Sequence, residues 1–162
     1  MKPHALVIVL AIIAGCGKAG KGEYSVPGLI KSLQSENADA RYTAAKTLGS
    51  YGSTDDGVLP ALCEALKDRD ATVRLGVVYA FAEIGPKAAP ALPQLQTALR
   101  QDADKDVRVG AAIALGMFGA DGRDALPALQ EAARVDTDPD VRAEAQKSAQ
   151  AIQSKIPGLT RP

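Results

Sequence analysis

The chain has 162 residues, enough for one domain with its own core, and 46% hydrophobic residues is ordinary for a globular protein. Aromatics make up only 4% and Trp is absent, so a core of Ala, Leu, Val and Gly suits close helix-on-helix packing better than a sandwich or barrel of aromatic and β-branched strands. A formal net charge of +0, one His (His4) and two Cys (Cys16 and Cys63) argue against a general electrostatic grip on nucleic acid and leave too few His and Cys for a metal centre.

In chain order the first element is an address. Lys2 precedes an apolar run over residues 5–14 that is too short to cross a bilayer as a mature helix, so residues 1–15 read as a signal peptide. Ile13-Ala14-Gly15-Cys16 at its end resembles the lipobox of bacterial lipoproteins. That resemblance implies that Cys16 is diacylated on sulfur and becomes the new N-terminus. It also implies an exported protein lipid-anchored to a bacterial membrane, facing periplasm or cell surface. Gly17, where inner-membrane retention is associated with Asp, leans toward the outer membrane. Several acyl chains give lasting attachment where one gives only marginal binding. An ordinary secretory signal and a buried hydrophobic start are the other readings of the same residues. Residues 16–25, rich in Gly and Lys without a hydrophobic period, read as a flexible tether.

From residue 26 the sequence repeats. Val73-Arg74, Val107-Arg108 and Val141-Arg142 carry one dipeptide, with Ala40-Arg41 as a weaker copy, and the arginines are 33, 34 and 34 residues apart. A fixed period in that range marks a stacked-repeat architecture. Each period opens with an apolar residue and Pro: Val26-Pro27, Leu59-Pro60, Leu92-Pro93 and Leu126-Pro127. Pro starts a helix without cost, because a first-turn amide has no intrahelical partner. Apolar residues then recur at i, i+3 and i+7 (Leu92, Leu95 and Leu99, for example), which predicts a first helix of about eleven residues.

A polar break follows each first helix. Four residues before each Arg stand Asn37, Asp70, Asp104 and Asp138, side chains able to accept from the exposed amides of a second helix. Positions 3, 7 and 10 after the Arg read Ala44, Leu48 and Tyr51; Val77, Phe81 and Ile84; Ala111, Leu115 and Phe118; Ala145, Ala149 and Ile152. They form the predicted buried stripe of the second helix. Position 11 is Gly52, Gly85 and Gly119 in three copies, where a residue free to take positive φ ends the helix. The fourth copy has Gln153 and runs on through polar Gln150, Ser154 and Lys155, as suits a last repeat facing solvent.

A Pro-led first helix, an Asp-rich turn, a Val-Arg opening the second helix and a terminal Gly resemble the short HEAT-like repeats of the phycobilisome-lyase type over about residues 26–153. The resemblance implies an all-α fold, a right-handed α-solenoid of about four stacked helix pairs. The repeat domain then covers residues 26–155, followed by a tail over 156–162. Tetratricopeptide repeats share the period but want an aromatic, a Gly and a Tyr in the first helix; ankyrin repeats want a Thr-Pro-Leu-His start. Neither pattern occurs.

Asp70, Arg74, Asp104, Arg108, Asp138 and Arg142 invite two readings, a ladder binding an anionic partner or a structural ladder. The second is the stronger, because HEAT-like arrays commonly bond such Asp and Arg residues across neighbouring repeats, and stacking explains a residue present in every copy. Positions 1 and 5 after the Arg lie on one stripe away from the core: Tyr42 and Lys46, Leu75 and Tyr79, Val109 and Ile113, Ala143 and Lys147. Leu75, Tyr79, Val109 and Ile113 form either an apolar partner-binding patch or packing against neighbouring helices. Cys63, without a disulfide partner once Cys16 is acylated, reads as a small buried hydrophobe.

No catalytic, cofactor or metal residues emerge. The expected function is a lipid-anchored envelope adaptor that binds protein partners, not nucleic acid or metal. The alternatives are a chromophore-handling, lyase-like accessory and a purely structural envelope protein.

Overall fold

A computed structural model describes residues 25–52, 56–156 and 158. Residues 1–15 and Cys16 lie outside that range, as does His4. Within it the chain forms helix pairs: α1 (Val26–Ser32) with α2 (Ala38–Tyr51), α3 (Val58–Ala65) with α4 (Ala71–Ile84), α5 (Leu92–Gln101) with α6 (Lys105–Met117), and α7 (Leu126–Val135) with α8 (Pro139–Lys155). The architecture is an α-solenoid: α2, α4, α6 and α8 pack side by side in sequence, each against the first helix of its own repeat. The core lies between the two rows, built on Leu62, Phe81, Leu95, Leu115, Leu129 and Ile152.

Local chemistry sets the boundaries of the second helices. Asn37 accepts from the amides of Asp39 (2.8 Å) and Ala40, Asp70 from Thr72 (2.8 Å), Asp104 from Asp106 (2.9 Å) and Val107, and Asp138 from Asp140 (2.9 Å) and Val141. At the other end Gly52, Gly85 and Gly119 take φ of 69°, 65° and 58°, a region costly for any residue with a Cβ. In α8, which has Gln153 in that place, the helix extends to Lys155.

Three features depart from the expectations. The first helices are 7, 8, 10 and 10 residues long rather than about eleven. Between Gly85 or Gly119 and the next helix, where the repeat pattern predicts no element, the chain forms seven-residue 3₁₀ segments, Gly85–Ala91 and Gly119–Ala125. These bury Ala88, Ala91 and Ala125. Tyr51, placed in the buried stripe by its register, is 44% exposed, whereas Ile84 and Phe118 at the same register are buried. In repeats 2 and 3 a 3₁₀ segment directly follows that position, whereas residues 53–55 after Gly52 lie outside the described range.

The second helices approach closely because small residues meet at their crossings. A Cβ built on Gly49 in α2 would stand 2.7 Å from the Cα of Ala80 in α4, and one on Gly116 in α6 would stand 2.6 Å from the Oγ of Ser148 in α8. The Ala-rich, Trp-free composition finds its use at these joins.

Candidate partner-binding surface

The arginines line one edge of the array, each in the first turn of its second helix. Arg41 Nε and Nη2 donate to the two carboxylate oxygens of Asp68 (2.6 and 2.9 Å), Arg74 to those of Asp102 (2.7 and 2.7 Å) and Arg108 to those of Asp136 (3.0 and 3.0 Å). Every pair crosses from one repeat to the next. The remaining Nη1 donates backwards into its own break: Arg74 to the carbonyl of Asp68 (2.8 Å), Arg108 to that of Asp102 (2.9 Å) and Arg142 to that of Asp136 (2.7 Å). The result is an alternating chain, Arg41, Asp68, Arg74, Asp102, Arg108, Asp136, Arg142.

The carboxylates taken by the arginines are therefore not Asp70, Asp104 and Asp138, which cap helices, but the Asp two residues earlier. Asp68, Asp102 and Asp136 also accept from the amide of the capping residue, at 2.8, 2.9 and 2.9 Å. In the Asp-x-Asp of each break, the first carboxylate joins repeats and the second starts the helix. Register along the chain carried the missed signal, since Arg74 to Asp102 and Arg108 to Asp136 are both separated by 28 residues.

Electrostatics follow from this geometry. The Arg41 hydrogen bond holds Asp68 below the ordinary carboxylate value. Burial works to raise Asp102 and Asp136, and the hydrogen bonds from Arg74 and Arg108 with the capping amides outweigh it, so both also lie low. The arginines' fork donors are consumed within the fold except at Arg142, which has no acidic side-chain partner among the described residues.

The row at positions 1 and 5 of the second helices has a graded exposure. Tyr42 is half-buried, its ring where a Cβ on Gly76 would stand 2.6 Å from Cδ2, and Lys46 Nζ lies 5.7 Å from its centroid. Leu75 and Val109 are half-buried against the core, and Leu75 Cδ1 reaches toward Gly110 of the next helix. Ile113 is also half-buried, while Ala143 and Lys147 are exposed. Tyr79 is 42% exposed. The row thus presents one accessible ring among partly covered aliphatic side chains.

On the side of the first helices, Cys63, Leu66 and Lys67 face Gln94, Thr97 and Ala98 across a groove of about 510 Å³ between repeats 2 and 3. At the next join Arg100 bridges to Glu131 at 3.2 Å, but Lys67 pairs instead within its own segment, with Glu64 at 2.9 Å, and leaves the groove open. Cys63 is a free, half-buried thiol whose pKa burial pushes up, so it is a poor nucleophile. Among the described residues there is no cluster of three or more metal-ligating side chains, and no helix is long and apolar enough to cross a membrane.

Comparison with known proteins agrees with this geometry. The family model for HEAT repeats matches residues 5–74, 26–95 and 59–150. The crystal structure of an engineered protein is similar at a TM-score of 0.57 and 24% identity, over 80% of this chain and 63% of that one, a likeness of fold. The chain thus spans somewhat less than two thirds of that neighbour's length. No curated protein matches the chain.

Proposed function

The chain belongs to the HEAT-repeat family, and from that premise we propose that it is a protein-binding scaffold carried on a bacterial membrane by acylated Cys16, with the face around Tyr79 as its contact surface. The observation that carries this reading is Tyr79 itself. A large amphipathic side chain held 42% exposed on a rigid helix, between half-buried Leu75, Val109 and Ile113, is the kind of anchor that dominates protein interfaces. Solenoids suit the role because successive repeats extend one surface without requiring a pocket.

The anchoring half of the reading rests on Lys2, the apolar run that follows and Ile13-Ala14-Gly15-Cys16. A scaffold fixed to a membrane recruits its partner to that surface. Co-purification from membrane extract with the wild-type chain and with Tyr79→Glu tests the contact surface: loss of a specific partner with retained helical circular dichroism supports it, and an unchanged set of partners contradicts it.

A further inference from the structure

Besides the contacts of Lys105 with Asp138 (3.6 Å) and Asp140 (3.1 Å), repeat 3 makes two arginine ion pairs to repeat 4: Arg100 Nε to Glu131 Oε2 at 3.2 Å, and Arg108 to both oxygens of Asp136 at 3.0 Å. Repeat 4 carries the arginine half of both, 34 residues on, as Arg134 and Arg142. Among the described residues neither has an acidic side-chain partner. Arg142 is nevertheless held in place as its counterparts are, its Nη1 donating to the carbonyls of Asp136 (2.7 Å) and Thr137 (3.2 Å), just as Arg108 Nη1 donates to those of Asp102 (2.9 Å) and Ala103 (3.4 Å). The edge that binds a carboxylate in three upstream copies is thereby preorganised in the fourth.

The surface beside it is polar. Gln130, Arg134, Gln146, Gln150 and Gln153, together with Ala133 and Ala149, line a hollow of about 370 Å³ with no carboxylate in its lining. The Asp136 carboxylate is taken from the other side by Arg108, and residues 157–162 contain no Asp or Glu.

We propose that this end face is a docking site for the acidic C-terminal end of a helix in a partner protein, whose two carboxylates, spaced like Glu131 and Asp136, engage Arg134 and Arg142. A second copy of this chain does not fit. In repeat 1 the position of Asp68, Asp102 and Asp136 is held by Ser35, whose Oγ accepts from the Asn37 amide as the aspartates do. The last turn of α1 carries Lys31, and Glu36 stands one residue out of register. The surface is distinct from the Tyr79 face, so the two proposals stand or fall separately.

The test uses a fluorescent, helix-stapled peptide copying residues 126–138, titrated into the full chain and followed by anisotropy. Salt-sensitive binding is expected, at least tenfold weaker for Arg134→Gln with Arg142→Gln, for Arg142→Lys, which keeps the charge but loses the fork, and for a peptide with Glu131→Gln and Asp136→Asn. The peptide variants leave the protein untouched, so their effect is independent of its folding. No binding, binding indifferent to the peptide's carboxylates, or binding that survives in the double arginine variant overturns the proposal, the last because it marks exchange of the peptide into the array.

Discussion

Arg74 and Asp102 meet edge to edge across the join between repeats 2 and 3, Nε to Oδ2 and Nη2 to Oδ1 both at 2.7 Å, with side chains only 15% and 7% exposed. Removing one partner of a pair this buried leaves the other charge uncompensated. Asp102→Asn is therefore expected to cost about 3 kcal/mol of stability, which in a domain of this size lowers the melting temperature by roughly 10 °C. A double change to well-packed apolar residues, Arg74→Met with Asp102→Leu, should cost much less than the single one, because it removes both desolvated charges. Thermal and urea unfolding followed by circular dichroism measure both.

Acid should weaken the array through the same carboxylates. Asp68, Asp102 and Asp136 all lie below their ordinary value of 3.8 in the folded chain. As pH falls the unfolded chain takes up protons first, so their contribution is present above that value and is lost as pH drops through and below it. The urea midpoint should stay level from neutral pH to about pH 5 and fall steeply toward about pH 3. In Asp102→Asn the fall should be shallower.

The close crossing of α2 and α4 predicts that Gly49→Ala destabilises, although Ala is the better helix former by about 1 kcal/mol. The added methyl meets Ala80 Cα at 2.7 Å and Cβ at 2.9 Å, neither of which can move without shifting its helix. A net loss of about 1–2 kcal/mol in urea unfolding is expected.

Within the second-helix row, exposure separates binding from folding. Tyr79→Glu should leave stability within about 0.5 kcal/mol of wild type, as surface changes do. Val109→Glu, which places a charge where a half-buried side chain packs on the core, should lower stability measurably. Equal losses of stability from both would assign Tyr79 to the packing of the solenoid rather than to a surface.

The proposed acylation of Cys16 predicts that Cys16→Ala loses membrane attachment. The expected outcome is a shift of the protein from the detergent phase to the aqueous phase on phase separation, with the wild-type chain retained by detergent and carrying the mass of its lipids at Cys16. Equal partitioning of the two chains would contradict lipid attachment at that residue.

The repeat period, the caps and the helix-ending glycines were all legible in the sequence, because each depends on a residue type at a fixed local offset: Asp104 before Val107-Arg108, Gly119 after it. What escaped were relations between repeats. The partner of Arg108 is Asp136, not a capping Asp, since its role is set by which side of the join it reaches. Tyr51 shares its register with buried Ile84 and Phe118 yet is exposed, a difference that register along one helix does not carry. The seven residues of Gly85–Ala91 and of Gly119–Ala125 carry no helical period, so their structure is imposed by the helices they join. The graded exposure of Leu75, Tyr79, Val109 and Ile113 likewise depends on how closely adjacent helices approach, which periodicity along one helix does not contain.

The measurement that bears most directly on the scaffold reading is photo-crosslinking in the native cell, with a photoreactive residue at position 79 and, as control, at exposed Gln94 on the first-helix row. The account predicts a discrete crosslinked partner at position 79, identified by mass spectrometry and absent at position 94. No crosslink at position 79, or the same products from both positions, would contradict it.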